Sequence, residues 1–425
     1  MIGKKGEWAV TGGRLDAFLR EMKLHPQCVD VPGTARAFAR EMRRGLSGEK
    51  SSLMMLKTYL SAPETGGICG RAAAVDIGGT NLRAARVEAH SGALEILSQT
   101  SGPVPGLGVR ITKEAFFDEI ARRILPVAEG GKRLGVAFSH SAEILPSGDG
   151  RVLSLSKEMR VIGIEGAHVC REICLALRRM GASAPERCVL LNDTTAVALA
   201  AAGRAGEDAV ALVLGTGLNI CYFDRGEGMF VNTEAAGFDV FPRGAADVLV
   251  DAGTSTPGEH LLEKAAAGRY IGGLVLAALR LAAREGLLTP RCAEGVLALG
   301  DLSAAEVGAY LAGETEGDAL HALCAGPEDA QAVAAIVDAV LERAARLVAS
   351  AVTGVLLHTG AGASPERPAV LSCEGSVICR MPTFRERVEK ALAQESAGKL
   401  GRHCRAAAAG EDAVICGAAL AALMD

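Results

Sequence analysis

The sequence predicts an α/β protein of two lobes, each a mixed sheet with helices packed over it. Three observations carry this. An apolar strand that enters a glycine turn and returns as a second strand occurs twice, at 76–80 and at 215–217. Between these points the order reads three strands, helix, strand, helix, strand, helix, the alternation that layers helices on a sheet. The 425 residues are 49% hydrophobic, enough for two large domains with sizeable cores.

The elements follow in order. Residues 15–48 carry helical spacing, with Phe18 and Met22 and later Ala37, Phe38 and Met42 at recurring intervals. Gly33-Thr34 reads as a break before a second helix over 35–44, and the whole segment as a helical arm without evident chemistry. A Gly/Pro/Ser-rich joint at 61–70 leads to strands at 72–76, 82–88 and 94–98. A helix over 113–124 sets Phe116, Phe117, Ile120 and Ile124 on one side. A strand at 133–138 ends at Ser139-His140-Ser141, and a loop with Pro146, Gly148 and Gly150 leads to Leu155-Ser156-Lys157. A helix over 166–180 and a buried strand at 188–191 complete the first lobe. The second opens with strands at 209–214 and 219–223, followed by helices over 258–285, 303–311 and 328–351. A strand at 369–372 runs into Cys373-Glu374-Gly375-Ser376, and helices over 383–394 and 412–423 close the chain.

Composition excludes several classes. A formal net charge of −5 leaves no electrostatic footprint for nucleic acid, and 4% aromatics give no platform for stacking bases. The opening M-I-G-K-K-G-E-W-A-V lacks the apolar core of a secretory signal. The longest apolar stretches, 271–288 and 332–357, are interrupted by Arg280, Arg284, Asp338, Glu342 and Arg346, so they read as core helices rather than membrane spans. The twelve cysteines contain no C-x-x-C pair, and Cys170 and Cys174 share a helix face. They read as reduced thiols of a cytoplasmic protein, not as a zinc site or disulfide framework.

The chemistry-bearing residues allow two readings each. Gly78 and Gly79 can take backbone angles that a side chain forbids, and would leave N–H groups open to a phosphate. Asp76 at the mouth of that turn is placed to face a metal ion, although an ordinary hairpin fits the stretch equally. Asn192-Asp193 joins a buried strand to a helix, where Asp serves as a helix cap or as a general base. His140 between two serines suggests a hydrolase pair, but no G-x-S-x-G elbow accompanies it, and a satisfied loop histidine is the simpler reading.

In order and spacing, these segments resemble the eukaryotic-type hexokinases, from about Ser51 to the C-terminus. Asp76-Ile77-Gly78-Gly79-Thr80-Asn81-Leu82-Arg83 is similar to that family's first phosphate loop, and Gly215-Thr216-Gly217-Leu218-Asn219 to its second. Phe138-Ser139 and Leu155-Ser156-Lys157 resemble its small-lobe sugar loops, and Ile164-Glu165-Gly166 its V-E-G. Leu191-Asn192-Asp193-Thr194 is similar to its catalytic strand end. Val231-Asn232-Thr233-Glu234 and Pro257-Gly258 with Leu262-Glu263-Lys264 resemble its large-lobe sugar contacts. Glu374-Gly375-Ser376 resembles its adenosine segment, and Gly417-Ala418-Ala419 its last helix start.

The resemblance implies two ribonuclease-H-like, actin-like ATPase lobes with a cleft between them. It implies a helical arm over 1–64, a small lobe over 65–193 with the C-terminal helix 412–425, and a large lobe over 194–411. The implied reaction moves the γ-phosphate of ATP to the 6-hydroxyl of glucose or a similar hexose. Asp193 would be the general base, assisted by Lys157. Asp76 would face Mg²⁺ through water. Gly78, Gly79, Thr80, Asn81, Arg83, Gly215, Thr216, Gly375 and Ser376 would hold the nucleotide. Ser139, Ser156, Lys157, Asn192, Asp193, Asn219, Glu234 and Glu263 would hold the sugar. The partners would be hexose and ATP, with no nucleic acid and no membrane, in a cytoplasmic monomer or homodimer of one catalytic unit. A sugar sensor without catalysis and a kinase of a different sugar share the fold. Departures are specific. Ala235-Ala236 stand where the family has Trp-Gly, Leu155 where it has Trp, Ser156 where it has Thr, His140-Ser141 where it has Phe-Pro, and His260 where a Gln often binds sugar. Charged and amide contacts are kept while bulky walls are lost, which implies a roomier hexose site.

Overall fold

The computed structural model describes residues 13–63, 67–91, 93–128, 132–155, 159–206, 208–314 and 319–424. Its two main sheets have six and five strands. The larger runs in the order Leu56–Lys57, Met229–Asn232, Leu218–Asp224, Ala209–Leu214, Ala369–Glu374, Cys404–Ala408. The smaller runs Arg187–Leu191, Arg133–Phe138, Gly70–Ile77, Asn81–His90, Ala93–Pro103. Two compact units can be separated. One holds the chain up to Met55, Leu212–Ile220 and Thr233–Ala408; the other holds Leu56–Ala211, Cys221–Asn232 and the chain from Ala409 on.

The second of these units contains the five-stranded sheet. Gly70–Ile77, Asn81–His90 and Ala93–Pro103 pair antiparallel as a meander, while Arg133–Phe138 and Arg187–Leu191 add in parallel. Alternation along each strand divides its residues between two faces. Val75, Ile77, Leu134 and Val136 share a core with Phe116, Phe117 and Ile120 of helix Lys113–Ile124 and Ile173 and Leu177 of helix Val169–Arg179. Gly135 faces the other way, where the C-terminal helix Ala413–Leu423 lies directly on the sheet: a Cβ at Gly135 would come within 1.8 Å of the Ala418 carbonyl oxygen. Helix Asp193–Ala205 lies against that same C-terminal helix, with the Ala196 carbonyl under Gly417. The small residues of Gly417-Ala418-Ala419 thus permit two close approaches at once.

In the other unit the 33-residue helix Pro327–Thr359 is the central support. Helix Val31–Leu46 crosses it with Phe38 against Gly354, where a Cβ would come within 2.8 Å of the Phe38 ring. Strands Ala369–Glu374 and Cys404–Ala408 pair in parallel.

Helix Lys113–Ile124 and strands Arg133–Phe138 and Ala209–Leu214 match their expected bounds. Others differ. The N-terminal helix begins at Val31, with Pro32 in its first turn, and Gly33 lies inside it rather than at a break; a proline there loses no helical hydrogen bond. The single helix expected over 258–285 is two, Leu261–Ala266 and Gly268–Arg284. The interruption is non-local in origin, because Gly268 N–H donates to the Gly215 carbonyl at 2.8 Å. The loop after Ser139 contains a hairpin, Ser141–Ile144 with Gly150–Ser154.

Candidate functional site

The candidate residues form two local constellations, one in each unit. The first surrounds the Asp76 turn. Gly78 N–H donates to the Asn81 carbonyl at 3.0 Å, which closes the turn and starts the returning strand. A Cβ added at Gly79 would meet nothing within 4 Å, so the outer side of the turn is open. The hairpin register sets Asp76 opposite Arg83. Arg83 donates Nε–H and Nη2–H to Asp76 Oδ2 at 3.2 and 2.9 Å, and Nη1–H to the Glu411 carbonyl at 3.0 Å. Thr80 accepts from Val104 N–H at 3.1 Å through its carbonyl. Burial pushes the Asp76 carboxyl above its ordinary range, Arg83 opposes this, and the nearby charge of Asp193 adds to the rise. Two carboxylates therefore sense one another here.

Asp193 stands at the junction of strand Arg187–Leu191 and helix Asp193–Ala205. Asn192, not Asp193, is the N-cap: its Oδ1 accepts Thr194 N–H at 2.9 Å. Asp193 is the first helical residue, where a negative charge is favoured by the helix dipole. Its Oδ1 accepts from Thr194 N–H at 2.7 Å and Thr194 Oγ1–H at 3.2 Å, and Oδ2 takes no bond among the described residues. Ser139 follows strand Arg133–Phe138 and donates its N–H to the Ile77 carbonyl at 3.1 Å, so it extends the same sheet edge as the glycine turn. Ser156 and Lys157 lie outside the described residues.

The second constellation surrounds Gly215. Gly215 N–H donates to the Gly217 carbonyl at 3.0 Å, and Arg269 N–H to the Thr216 carbonyl at 3.3 Å. Gly375 has φ +111° and lies so close that a Cβ would come within 2.5 Å of the Leu214 backbone; Ser376 N is 3.3 Å from the equivalent point on Gly215. The second glycine turn and the 375–376 segment are thus in contact. Asn219 donates Nδ2–H to Glu234 Oε1 at 3.2 Å, while its Oδ1 accepts Ile220 and Ala235 N–H. Glu263 Oε2 accepts Leu218 N–H at 3.2 Å. Burial pushes the Glu263 carboxyl up, opposed by Leu218 N–H and by His260, Arg269 and Lys264. Glu234 and His260 both hold left-handed backbone, φ 52° and 51°. That conformation is strained for a non-glycine residue and is concentrated at functional sites. Sequence reasoning did not find Asp251, which binds Lys264 at 2.6 Å beside Glu263; nothing in its local spacing marks it.

Among the described residues no group of three His, Cys, Asp or Glu side chains is arranged to hold a metal ion, and no helix is long and apolar enough to cross a membrane. None of the twelve cysteines is in a disulfide. Cys170 and Cys174 share a helix face, and the neighbouring Cys188 thiol together with burial pushes the Cys174 thiol well above its ordinary range.

Two hexokinase sequence profiles match the chain, over residues 14–203 and 209–424. Hexokinase-5 of Oryza sativa subsp. japonica is 30% identical over 376 residues, covering 79% of this chain and 73% of its own. Hexokinase-1 of Schizosaccharomyces pombe is 28% identical, covering 56% of this chain and 54% of its own. Among solved structures, a hexokinase from Schistosoma mansoni complexed with glucose superposes with a TM-score of 0.78 at 22% identity, covering 96% of this chain and 98% of that one. This likeness in fold agrees with the two-lobed, actin-like sugar kinase architecture.

Proposed function

The chain belongs to the hexokinase family, whose members are phosphotransferases acting on hexoses, and on that premise we propose that it transfers the γ-phosphate of ATP to the 6-hydroxyl of glucose or a similar hexose. The observation that carries the reading is Asp193. It is fixed through Oδ1 at a helix N-terminus, its Oδ2 is open, and it lies within electrostatic reach of Asp76 beside the first glycine turn. Phosphoryl transfer asks little covalent chemistry of the protein and much positioning. Asp193 Oδ2 accepts the proton of the primary hydroxyl as that oxygen forms its bond to the γ-phosphorus and the bond to the β-bridging oxygen breaks, releasing ADP. A carboxylate within hydrogen-bond reach is a sufficient base.

The rest of the machinery follows the same reading. N–H groups of Gly79, Thr80 and Thr216 bind phosphate oxygens, since those of Gly78 and Gly215 already donate to the Asn81 and Gly217 carbonyls, while Gly375 and Ser376 lie along the nucleoside. Arg83 fixes Asp76 rather than reaching a phosphate itself, because its bonds among the described residues run to Asp76, to the Glu411 carbonyl and to the Asp412 side chain. A Mg²⁺ ion fits the residues present: one buried carboxylate, whose Oδ1 is left by Arg83, is the donor set this ion uses alongside phosphates and water. When bound it would neutralise phosphate charge. Asn192 Nδ2, Ser139, Asn219, Glu234 and Glu263 pair with sugar hydroxyls.

An ADP-release assay over glucose, mannose, fructose and glucosamine tests the proposal. Hexose-dependent ADP production is expected. Sugar binding without ADP release from any hexose would establish the sensor instead.

A further inference from the structure

His140 was expected to be a satisfied loop histidine, and among the described residues only one of its ring nitrogens is. The ring is only 8% exposed. It packs edge-on against Phe138, centroids 5.0 Å apart and planes at 68°. One ring nitrogen bonds the Gly78 backbone, and the other, Nε2, is buried without a hydrogen-bond partner among the described residues. Only the Nδ1–H therefore donates to the Gly78 carbonyl, which leaves Nε2 of the neutral ring as a bare acceptor. Burial favours that neutral form, and the charge of Asp193 opposes it. Most other buried atoms in this condition belong to guanidinium or carboxylate groups whose remaining atoms are bonded. Buried acceptors are ordinarily satisfied, by protein, water or ligand.

We propose that His140 is a sugar-binding and positioning residue, whose Nε2 accepts a hydrogen bond from a hexose hydroxyl other than the one Asp193 deprotonates. The inference rests on the hexose-phosphorylating reading of this site. The Asp193 carboxylate cannot fill the Nε2 position, because acceptor cannot bond acceptor. A polyol supplies hydroxyl donors to both, one to the carboxylate and a second to the imidazole. The ring is held by Gly78 of the phosphate turn, so the second hydroxyl is oriented from the same turn that the reading assigns to ATP. The family motif has an apolar ring at this position, which cannot make this bond. The proposed contact therefore sets which hydroxyls this chain requires.

Calorimetric titration with hexose in the absence of nucleotide reads the contact directly. His140→Phe, which restores the family's residue, is expected to weaken hexose binding roughly 3–10-fold, the worth of one neutral hydrogen bond. His140→Gln, which keeps an acceptor, is expected to recover most of that loss. In a series of hexoses lacking one hydroxyl each, one member should bind the wild type weakly by the same factor yet bind His140→Phe no worse than the parent sugar does. In the unmutated protein the ¹⁵N signal of Nε2 should shift when hexose is added, a readout that needs no variant to fold. Unchanged affinity in His140→Phe, equal losses across the series in both proteins, or an unmoved ¹⁵N signal overturns the proposal. Hexose binding without ADP release would sink the kinase reading while these measurements still decide the role of His140. A wild type that binds no hexose overturns both.

Discussion

Replacing Lys264 by methionine removes a buried cation from one of the sugar-contact segments. The Lys264 side chain is 4% exposed, and its Nζ donates to Asp251 Oδ1 and to the Thr256 carbonyl, both at 2.6 Å. Asp251 in turn accepts Gly258 N–H at 3.0 Å. One ammonium and one carboxylate thus tie residues 251–264 into a closed loop that ends at Glu263. Breaking a buried ion pair costs about 3–5 kcal/mol. Asp251 remains 16% exposed and keeps the Gly258 N–H, so about 2–3 kcal/mol is expected at pH 7. The pH dependence has a definite sign. Burial pushes the Asp251 carboxyl up, but Lys264 and the Gly258 N–H outweigh it and the net shift is downward. A carboxyl held low contributes stability that is complete above its unfolded pKa of about 4 and is lost as pH falls through the folded value. Methionine removes most of the depression, so the wild type loses more on acidification and the gap between the two proteins narrows below about pH 4. Urea unfolding at pH 7 and pH 3 measures both, with a midpoint roughly 1 M lower for the variant at pH 7. A gap as wide at pH 3 as at pH 7 refutes the assignment of the pair.

Further expectations concern the chemistry and the second glycine turn. Asp193→Ala should lower kcat by about 10²–10⁴ while hexose affinity changes little, since one acceptor of several is lost; turnover near the wild-type rate in stopped assays would remove Asp193 as the base. Gly375→Ala should destabilise by about 2–4 kcal/mol, combining a left-handed backbone with an overpacked contact. The new Cβ would sit 2.5 Å from the Leu214 backbone and displace the Gly215 turn, so KM for ATP should rise with little change in KM for hexose. A larger rise for hexose than for ATP would contradict the nucleotide assignment of that turn.

The parts of the fold that were legible in the sequence are those with local causes. Apolar spacing alone defines helix Lys113–Ile124, and uninterrupted apolar runs define strands Arg133–Phe138 and Ala209–Leu214. The glycine turns are legible from their position between apolar runs, although Gly78, Gly79, Gly215 and Gly217 do not hold the left-handed backbone expected of them and a Cβ at Gly79 would meet nothing within 4 Å. The break at Ala267 was not, because it is made by Gly268 reaching the Gly215 carbonyl some fifty residues away along the chain. Strand Cys404–Ala408 was missed because C-R-A-A-A carries no β-forming signal, and its register comes from Ala369–Glu374. The Asp76–Arg83 pair could have been found: in a tight hairpin that opens at Gly78, residues 76 and 83 must face each other. Both Asn192 and Asp193 accept Thr194 N–H, and Asn192 is the cap because its backbone is still extended while Asp193 already opens the helix, a choice the dipeptide does not reveal.

The two kinds of departure from the family motif lead to different chemistry. Ala235 and Ala236, in place of Trp-Gly, are buried, and a Cβ at the following Gly237 would come within 2.4 Å of the Ser52 carbonyl. Phe238 beside them packs on Phe38 at 5.0 Å. The N-terminal segment therefore packs closely on the residues that follow them. On this packing we expect the missing indole to leave the hexose site no larger at this position. His140 changes hydrogen-bonding capacity instead of volume. Sugar preference should accordingly depend on which hydroxyls a hexose presents, not on its bulk. Glucose and N-acetylglucosamine separate these causes, since the acetyl group needs space and the remaining hydroxyls are shared. On this reasoning N-acetylglucosamine should fall below glucose in kcat/KM by roughly 100-fold, the scale at which a pocket rejects added bulk. Comparable kcat/KM for the two sugars would show that the small residues at 235–236 have opened the site after all.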